Sequence, residues 1–566
     1  MLSRDQAIAQ LTAEGLPYAL HTEAGTHGPL KVFTNAPATL RDLYTDAISD
    51  QTFIVYDDER FTFAETYALA SQIGHLLVHQ YGVLPGDRVA ISMRNFPEWV
   101  TTFMAVTSIG AIAVAMNALW QPDEMEYGLV NSGAKVLFAD QERLDRLAQC
   151  SGELSVRVVA VRPTALTAGA VDLADELARV GSVPMPDVAI APTDAATIFY
   201  TSGSTGHPKG VVASHRNIIS ALFSWELDAR AAVLQSKPDG PIAKATAATD
   251  RPVQAATLLA VPLFHVTGSH AVLLQSYRTQ RKLVCMYKWD PEAAAELIER
   301  ERVNTFVAPA AMTGDLVRVA KETARDLSSL QYVGGGGAPR APEQVRQIDA
   351  SFKRAMPNTG WGMTETNGIG SGIAGPDYLG RPASSGRCSA VLELRVVDDN
   401  GTVLPAGERG ELQIRGTSMF SGYWNRPEVN ADVFVDGDWF RTGDVAYLDD
   451  EGYLFIVDRI KDLIIRGGEN IGCGQVEAAL LMHPAVREAA VYAVPDERLG
   501  EEVGATVFAT DPLDVDELRA FLGSHLARFE VPRYIVTVDE PLPRTASGKI
   551  LKRQLRDEAV ATLTTP

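Results

Sequence analysis

Between Thr62 and Val333 the sequence keeps returning to one pattern, a short and almost wholly apolar run separated from the next by stretches of helical period. Arg88 to Met93, Val136 to Ala139, Val156 to Val161, Ala196 to Tyr200, Ala256 to Val261, Val303 to Ala308 and Leu330 to Val333 read as strands. Thr62 to Tyr81 and Trp99 to Ile112 read as helices. Apolar runs that do not alternate with polar residues suit strands buried on both faces, and the helices between them supply the cover. The fold class expected is therefore layered α/β. In such sheets ligands gather beyond the carboxyl ends of the strands. Ala196 to Tyr200 and Leu330 to Val333 each run straight into a glycine-rich loop there.

With 566 residues, 46% of them hydrophobic and 22% charged, the chain is long enough for several folding units. Residues 1–40 read as a peripheral arm with one short helix, ending at Asn35 to Thr39. A large domain is expected over 41–458. It holds two α/β layered sheets and, after about 385, a β-rich subdomain of hairpin-like pieces at Val391 to Val397, Glu411 to Arg415 and Tyr453 to Asp458. Ala229 to Gln254 lacks period and reads as an exposed excursion. Residues 459–566 read as a small α+β C-terminal domain, with helices near Val476 to Leu481 and Val515 to Ala527.

The 51 basic and 71 acidic residues leave a net charge of −20, which argues against nucleic acid or an anionic membrane as a broad partner. An anionic ligand would need a locally basic pocket. The four cysteines, Cys150, Cys285, Cys388 and Cys473, are scattered without a CxxC pair, so neither a disulfide framework nor a zinc knuckle is expected. The start lacks a signal-peptide core, and no window reaches the ~18 apolar residues of a membrane span. A cytoplasmic protein with no integral membrane association is expected; a homodimer is compatible with the sequence.

The most informative string is Tyr200-Thr201-Ser202-Gly203-Ser204-Thr205-Gly206-His207-Pro208-Lys209-Gly210. Glycines let successive backbone N–H groups face an anion, hydroxyls add donors and the lysine adds charge, which together suit a polyphosphate. A flexible Ser/Gly linker is the alternative, but a buried strand precedes the string and Pro-Lys-Gly stiffens its end. It is no Walker loop either, because Pro208 and Gly210 stand where that motif needs Gly and Ser or Thr.

The string resembles the signature of the adenylate-forming superfamily of acyl-CoA synthetases, luciferases and peptide-synthetase adenylation domains. Further landmarks follow in that family's order: Pro262-Leu263-Phe264-His265, Gly336-Gly337-Ala338-Pro339, Trp361-Gly362-Met363-Thr364-Glu365, Trp439 to Asp444, Asp458 to Asp462, and Pro543 to Lys549. The resemblance implies ATP, Mg2+ and coenzyme A as cofactors and a small carboxylic acid as substrate. The carboxylate attacks the α-phosphorus, and a thiol then displaces AMP. The acid implied is hydrophobic, fatty or aryl. A stand-alone amide or carrier-protein ligase, or a silent nucleotide sensor, stays open. The chain ends soon after Lys549, so no fused thiolation domain is expected.

Residue by residue, the resemblance implies that Lys549 eases the meeting of carboxylate and α-phosphate and that Glu365, with Thr205, holds Mg2+. Thr364 and His265 complete the catalytic set. ATP or AMP would be held by Thr201, Ser202, Gly203, Ser204, Thr205, Gly206, Lys209, Gly336, Gly337, Ala338, Pro339, Trp361, Gly362, Met363, Thr364, Asp444 and Arg459. The acyl pocket would use His265, Val266, Gly334, Gly335 and Trp361, the glycine run leaving room for a bulky acid. Lys461 matches the hinge of a mobile C-terminal domain, and Gly467 and Gly468 the path of coenzyme A. Alternatives for single residues are a solvated Lys549, a Glu365 capped by Thr364, and an Arg459 paired merely with Asp458 or Asp462. Two departures stand out. Ser269 occupies the place of a tryptophan that gates some long-chain members, and Cys473, Gln475 and Glu477 replace the usual Pro and Glu-x-Glu, Cys473 reading as packing rather than as a nucleophile.

Overall fold

The computed structural model describes residues 2–24, 29–152, 154–167, 169–201, 207–235, 254–336, 340–352, 354–509, 513–545 and 548–564. Among these, the first large sheet has eight strands. Its order is Gly422–Tyr423, Lys209–Ser214, Ala195–Thr201, Ile112–Ala115, Arg88–Ser92, Val136–Asp140, Arg157–Val161 and Val171–Asp172. Arg88–Ser92 is buried from Val89 onward and pairs in parallel with both neighbours, as its unbroken apolar run requires. Ile112–Ala115 was not expected as a strand, and the helical reading of Trp99 to Ile112 took in its first residue. The helix is Pro97–Ser108, and a four-residue Ile-Ala-Val-Ala run cannot be told from helix by period alone.

The second sheet has a parallel half, Lys282–Cys285, Ala256–Leu259, Thr305–Val307, Tyr332–Gly334 and Met356–Trp361. It continues edge to edge into antiparallel strands Ser371–Ala374, Gly386–Cys388, Tyr453–Arg459, Trp439–Leu448, Gly410–Gly416 and Leu392–Val397. The β-rich stretch after 385 is thus hydrogen-bonded to the α/β sheet rather than free-standing. One apolar core runs through both sheets, from Val89 and Phe103 to Leu258 and Phe306. A third sheet, with Ile464–Arg466, Glu469–Ile471, Val486–Asp496, Gly500–Ala509 and Tyr534–Val538, has its own core around Val491, Val507 and Leu518. The helix expected over Val515 to Ala527 ends at Leu522, where Gly523 follows.

The N-terminal arm is not peripheral. Besides the helix Arg4–Leu11 it contains a hairpin, Leu20–Ala24 with Pro29–Phe33. The whole arm grips the helix His215–Gln235: Arg4 pairs with Asp228 at 2.8 Å, Arg216 with Glu23 at 2.8 Å, and the Tyr18 hydroxyl donates to Glu226 at 3.2 Å. Residues 229–235, expected in an exposed excursion, complete that helix and bury Ala231. Residues 236–253 lie outside the described residues. No described helix is long and apolar enough to cross a membrane.

Asp228 also accepts from the Ser389 hydroxyl at 3.0 Å, and burial pushes its carboxyl up. Arg4→Met leaves that charge with a hydroxyl alone. Chemical denaturation is expected to show a loss of about 1–3 kcal/mol, largely recovered by Arg4→Lys; unchanged stability would mean that the arm is an appendage.

Candidate active site

The phosphate string begins where Ala195–Thr201 ends and finishes where Lys209–Ser214 starts. These strands pair antiparallel, Thr201 opposite Lys209, beside the parallel strands. Lys209–Ser214 pairs in turn with Gly422–Tyr423. That pairing sets Tyr423 between two candidate residues. Its hydroxyl donates to Glu365 Oε1 at 2.7 Å, and the Lys209 ammonium stands 5.1 Å from its ring centroid. Burial first, then the Glu365 charge and the hydrogen bond to it, push the phenol far above its ordinary value. Glu365 is buried in the one-turn helix Thr364–Thr366. Met363, not Thr364, precedes that turn as its cap, and the Glu365 side chain is engaged by Tyr423.

Asp444 lies on Trp439–Leu448 directly opposite Arg459. Its Oδ1 accepts from Arg459 Nε at 2.6 Å and its Oδ2 from the Trp361 indole N–H at 2.8 Å. Arg459 therefore does not pair with Asp458, whose carboxylate accepts the backbone N–H groups of Arg459 at 2.8 Å and Cys473 at 2.5 Å. Burial raises the Asp444 carboxyl above its ordinary value, against the pull of Arg459, Trp361 and Lys549. A carboxylate offers about four lone-pair sites. Two protein donors leave it able to receive a vicinal diol as well.

Lys549 sits on a tight loop: the Thr545 N–H donates to Lys549 O at 2.7 Å, and the Arg544 guanidinium to Gly548 O at 2.8 Å. This loop reaches the large domain, where a Cβ on Gly548 would stand 3.7 Å from Pro309. The Lys549 ammonium keeps contact with solvent, yet the cleft walls strip enough water to lower its pKa. Arg459 and Lys461 push the same way, while Asp444 and Glu365 oppose them. Lys461, in the turn Ile460–Asp462, is likewise lowered by desolvation first and by Arg459 and Lys209 after it, with Asp462 and Asp444 opposing. Four cations, Lys209, Arg459, Lys461 and Lys549, thus converge around Asp444 and Glu365 in a chain of net charge −20. Asp458 and Asp462 belong to the same cluster, so what the cleft offers an anion is a local concentration of cations rather than a net excess.

His265 is held by both sheets. Its backbone N–H donates to Pro262 O, and the segment before it is clamped by buried Asn95, which donates to Val261 O at 3.1 Å and accepts from the Leu263 N–H at 3.0 Å. Burial, and then Lys549, bring the imidazole down to about 4, so it is neutral at pH 7. Ser269 is fully buried, donating to His265 O at 3.0 Å and bonded to His270 Nδ1 at 2.8 Å. Next after His265 in the chain is Val266, and a Cβ on Gly368 would meet both Val266 and the Trp225 ring at 3.5 Å. Trp225 and Val266 thus form an apolar surface at Gly368, and the imidazole's own ring neighbour is Phe264, 4.9 Å between centroids.

Gly334, Gly335 and Gly336 have a reason other than pocket room. A Cβ there would lie 2.1 Å from Asn358 O, 2.5 Å from Ala308 O and 2.8 Å from Gly360 O, so the strands approach too closely for any side chain. Gly362 is likewise pressed against Gly368 O. Gly467 and Gly468, both at positive φ, form the two-residue turn of the hairpin Ile464–Arg466 and Glu469–Ile471 in the third sheet, not part of the charged cluster. Buried Cys473 donates its S–H to Asp462 O at 3.1 Å and is raised by burial, as a packing residue would be. Ser202, Gly203, Ser204, Thr205, Gly206, Gly337, Ala338, Pro339, Ala546 and Ser547 lie outside the described residues. Tyr423, Asn95 and Trp225 were not singled out from the sequence; only the pairing of Lys209–Ser214 with Gly422–Tyr423 reveals the first.

Two family profiles match the chain, AMP-binding enzyme over residues 45–424 and AMP-binding enzyme C-terminal domain over 475–549. The chain belongs to the AMP-binding enzyme family. This is the adenylate-forming superfamily, and its relatives share the same plan of a large N-terminal and a smaller C-terminal domain. The chain is 34% identical to a long-chain-fatty-acid–CoA ligase of Mycobacterium tuberculosis, over 89% of this chain and 94% of that one. It is 33% identical to a feruloyl-CoA synthase of Amycolatopsis, over 89% and 95%. The solved anthranilate CoA ligase in complex with anthranoyl-AMP superposes with a TM-score of 0.82 at 25% identity, covering 93% of this chain and 98% of that one.

Glu365 fits the Mg2+ that AMP-binding enzymes use, since a hard cation shared with phosphate oxygens and water needs few protein carboxylates. Among the described residues no cluster of three or more His, Cys, Asp or Glu offers a metal cage. Tyr423→Phe removes the hydroxyl that orients Glu365 while keeping the ring beside Lys209. The Mg2+ concentration for half-maximal acid-dependent pyrophosphate exchange is expected to rise about tenfold or more; an unchanged Mg2+ curve would separate the phenol from the metal.

Proposed function

We propose that this adenylate-forming acid–CoA ligase activates a hydrophobic carboxylic acid, fatty or aryl, as its adenylate and passes the acyl group to coenzyme A in the cytoplasm. The convergence of Lys549 with Lys209, Arg459 and Lys461 around two carboxylates carries the reading. Two anions, a carboxylate and a triphosphate, must approach each other, and preorganised donors in a partly dry cleft favour that encounter most.

In this reading Lys209 and the preceding loop hold the β- and γ-phosphates. Asp444, fixed by Arg459 and Trp361, receives the ribose diol. Glu365 would hold Mg2+, which would supply charge neutralisation to the phosphates. Lys549 spans the acid's carboxylate and the α-phosphate. Neutral His265 faces the carboxylate without adding a competing charge or proton, and Val266 with Trp225 receives the apolar tail. A carboxylate oxygen bonds to the α-phosphorus as pyrophosphate leaves. The thiolate of coenzyme A then bonds to the acyl carbon, and AMP departs with that oxygen.

Because Lys549 occupies the ground a thiol must reach, residues 459–566 are taken to swing about Lys461 between the two steps. Asp458, bonded to both Arg459 and Cys473 N–H groups, marks the large-domain side of that pivot. The free thiols, two of them buried, suit a reducing compartment.

Acid-dependent exchange of labelled pyrophosphate into ATP, followed by mass spectrometry for thioester once coenzyme A is added, tests the reading; an amine or carrier acceptor would give exchange without thioester. Lys549→Ala is expected to slow adenylation about 10²–10³-fold and to leave thioester formation from supplied acyl-adenylate largely intact. Equal loss in both steps would contradict the swing. Lys549 acts protonated, and its free-enzyme pKa lies below the ordinary 10.5. The alkaline limb of kcat/KM for adenylation should therefore fall below pH 10.5, and Lys549→Arg should move it upward; a limb that stays in place would exclude Lys549 as the titrating group.

A further inference from the structure

We infer that Tyr127 and Asn131, on one face of the helix Pro122–Ser132, are positioning residues that aim Lys209 at the polyphosphate of ATP. The inference rests on the reading of Lys209 as the cation at the β- and γ-phosphates. Residues four apart on a helix stand one above the other. Here that spacing matches the two strand ends that bracket the phosphate string in sequence. The Tyr200 hydroxyl, near the end of Ala195–Thr201, donates to Asn131 Oδ1 at 2.7 Å. The Tyr127 hydroxyl donates at 3.3 Å to the carbonyl of Pro208, the residue before Lys209. Its ring also stacks on His207, 4.3 Å between centroids and 12° from parallel.

The backbone of Lys209 is thereby held from both sides. Beyond it, the Gly210 carbonyl accepts from the Trp424 N–H at 2.7 Å, and the Trp424 indole donates to Asn131 O at 3.1 Å. Both carbonyls that flank Lys209 thus trace back to the same helix. A lysine is a point charge on a flexible stem, so its backbone anchor decides where the ammonium can reach.

The Tyr127 proton has a set direction. Arg426 donates to the phenol oxygen at 3.1 Å, and because a guanidinium accepts nothing, the phenol must give its own proton elsewhere. Pro208 O takes it. A helix that served only as cover would turn apolar side chains toward these strands. This one turns a phenol and an amide, and each is engaged beside Lys209.

Calorimetry with α,β-methylene-ATP and with AMP separates aiming from packing, because AMP lacks the β- and γ-phosphates. Tyr127→Phe keeps the stack on His207 and removes the hydrogen bond. It is expected to weaken the ATP analogue about three- to tenfold and to leave AMP unchanged. In acid-dependent pyrophosphate exchange the KM for ATP should rise by a similar factor while the KM for the acid holds. Arg426→Met should weaken the analogue in the wild type and add nothing to Tyr127→Phe. In a Lys209→Ala background, Tyr127→Phe should likewise cost little more, since the phenol acts through the lysine. Equal weakening of AMP, additive losses with Lys209→Ala, or a lowered melting temperature with both affinities kept would overturn the inference and reduce the helix to packing. Calorimetry needs no turnover: the expected affinities in a protein without exchange activity would remove the adenylation reading and spare the positioning, whereas a wild type that binds neither nucleotide would sink the reading of Lys209 itself.

Discussion

The structure depends on one electrostatic constraint, that a chain carrying twenty net negative charges must still bring two negatively charged reactants together. It meets that constraint by local concentration. Lys209 comes from the first sheet, Arg459 from the antiparallel end of the second, Lys461 from the junction and Lys549 from the C-terminal domain. Asp444 and Glu365 sit among them, so the four cations do not simply repel one another. Desolvation and mutual repulsion keep Lys549 and Lys461 readier to give up their protons than free lysines, and a bound polyphosphate would reverse that tendency.

Scaffold and chemistry meet at a few buried ties. Tyr423 exists as a site residue because a two-strand pairing, Val211 with Tyr423, brings a remote segment beside the strand that follows the phosphate string. Asn95, three residues past the first-sheet strand Arg88–Ser92, clamps the segment after Ala256–Leu259 that carries His265. Asp444 faces inward because its strand neighbour Arg459 and the Trp361 indole each take one of its oxygens. The strand of Arg459, Tyr453–Arg459, leads straight into the turn that holds Lys461, so the proposed ribose site and the proposed pivot adjoin.

Much of this was legible in the sequence. Unbroken apolar runs such as Val136 to Ala139 became parallel strands, and the motifs containing Lys209, Glu365, Asp444 and Lys549 came together although they span more than half of the chain. What stayed hidden depended on long-range partners. The arm was read as peripheral because its grip comes from Arg4 and Tyr18 meeting Asp228 and Glu226, two hundred residues away, with no periodic signal. The strand Ile112–Ala115 was too short to declare itself. The glycines at 334 to 336 suggested space for a substrate, whereas the crowding that requires them comes from carbonyls of neighbouring strands.

The account's central claim is that a carboxylate oxygen attacks the α-phosphorus of ATP inside the cationic cleft. The most direct measurement follows the oxygen itself. With the substrate acid labelled in its carboxylate by oxygen-18, complete turnover with coenzyme A should yield AMP carrying one labelled oxygen and pyrophosphate carrying none. Label found in pyrophosphate, or unlabelled AMP beside labelled thioester product, would contradict it.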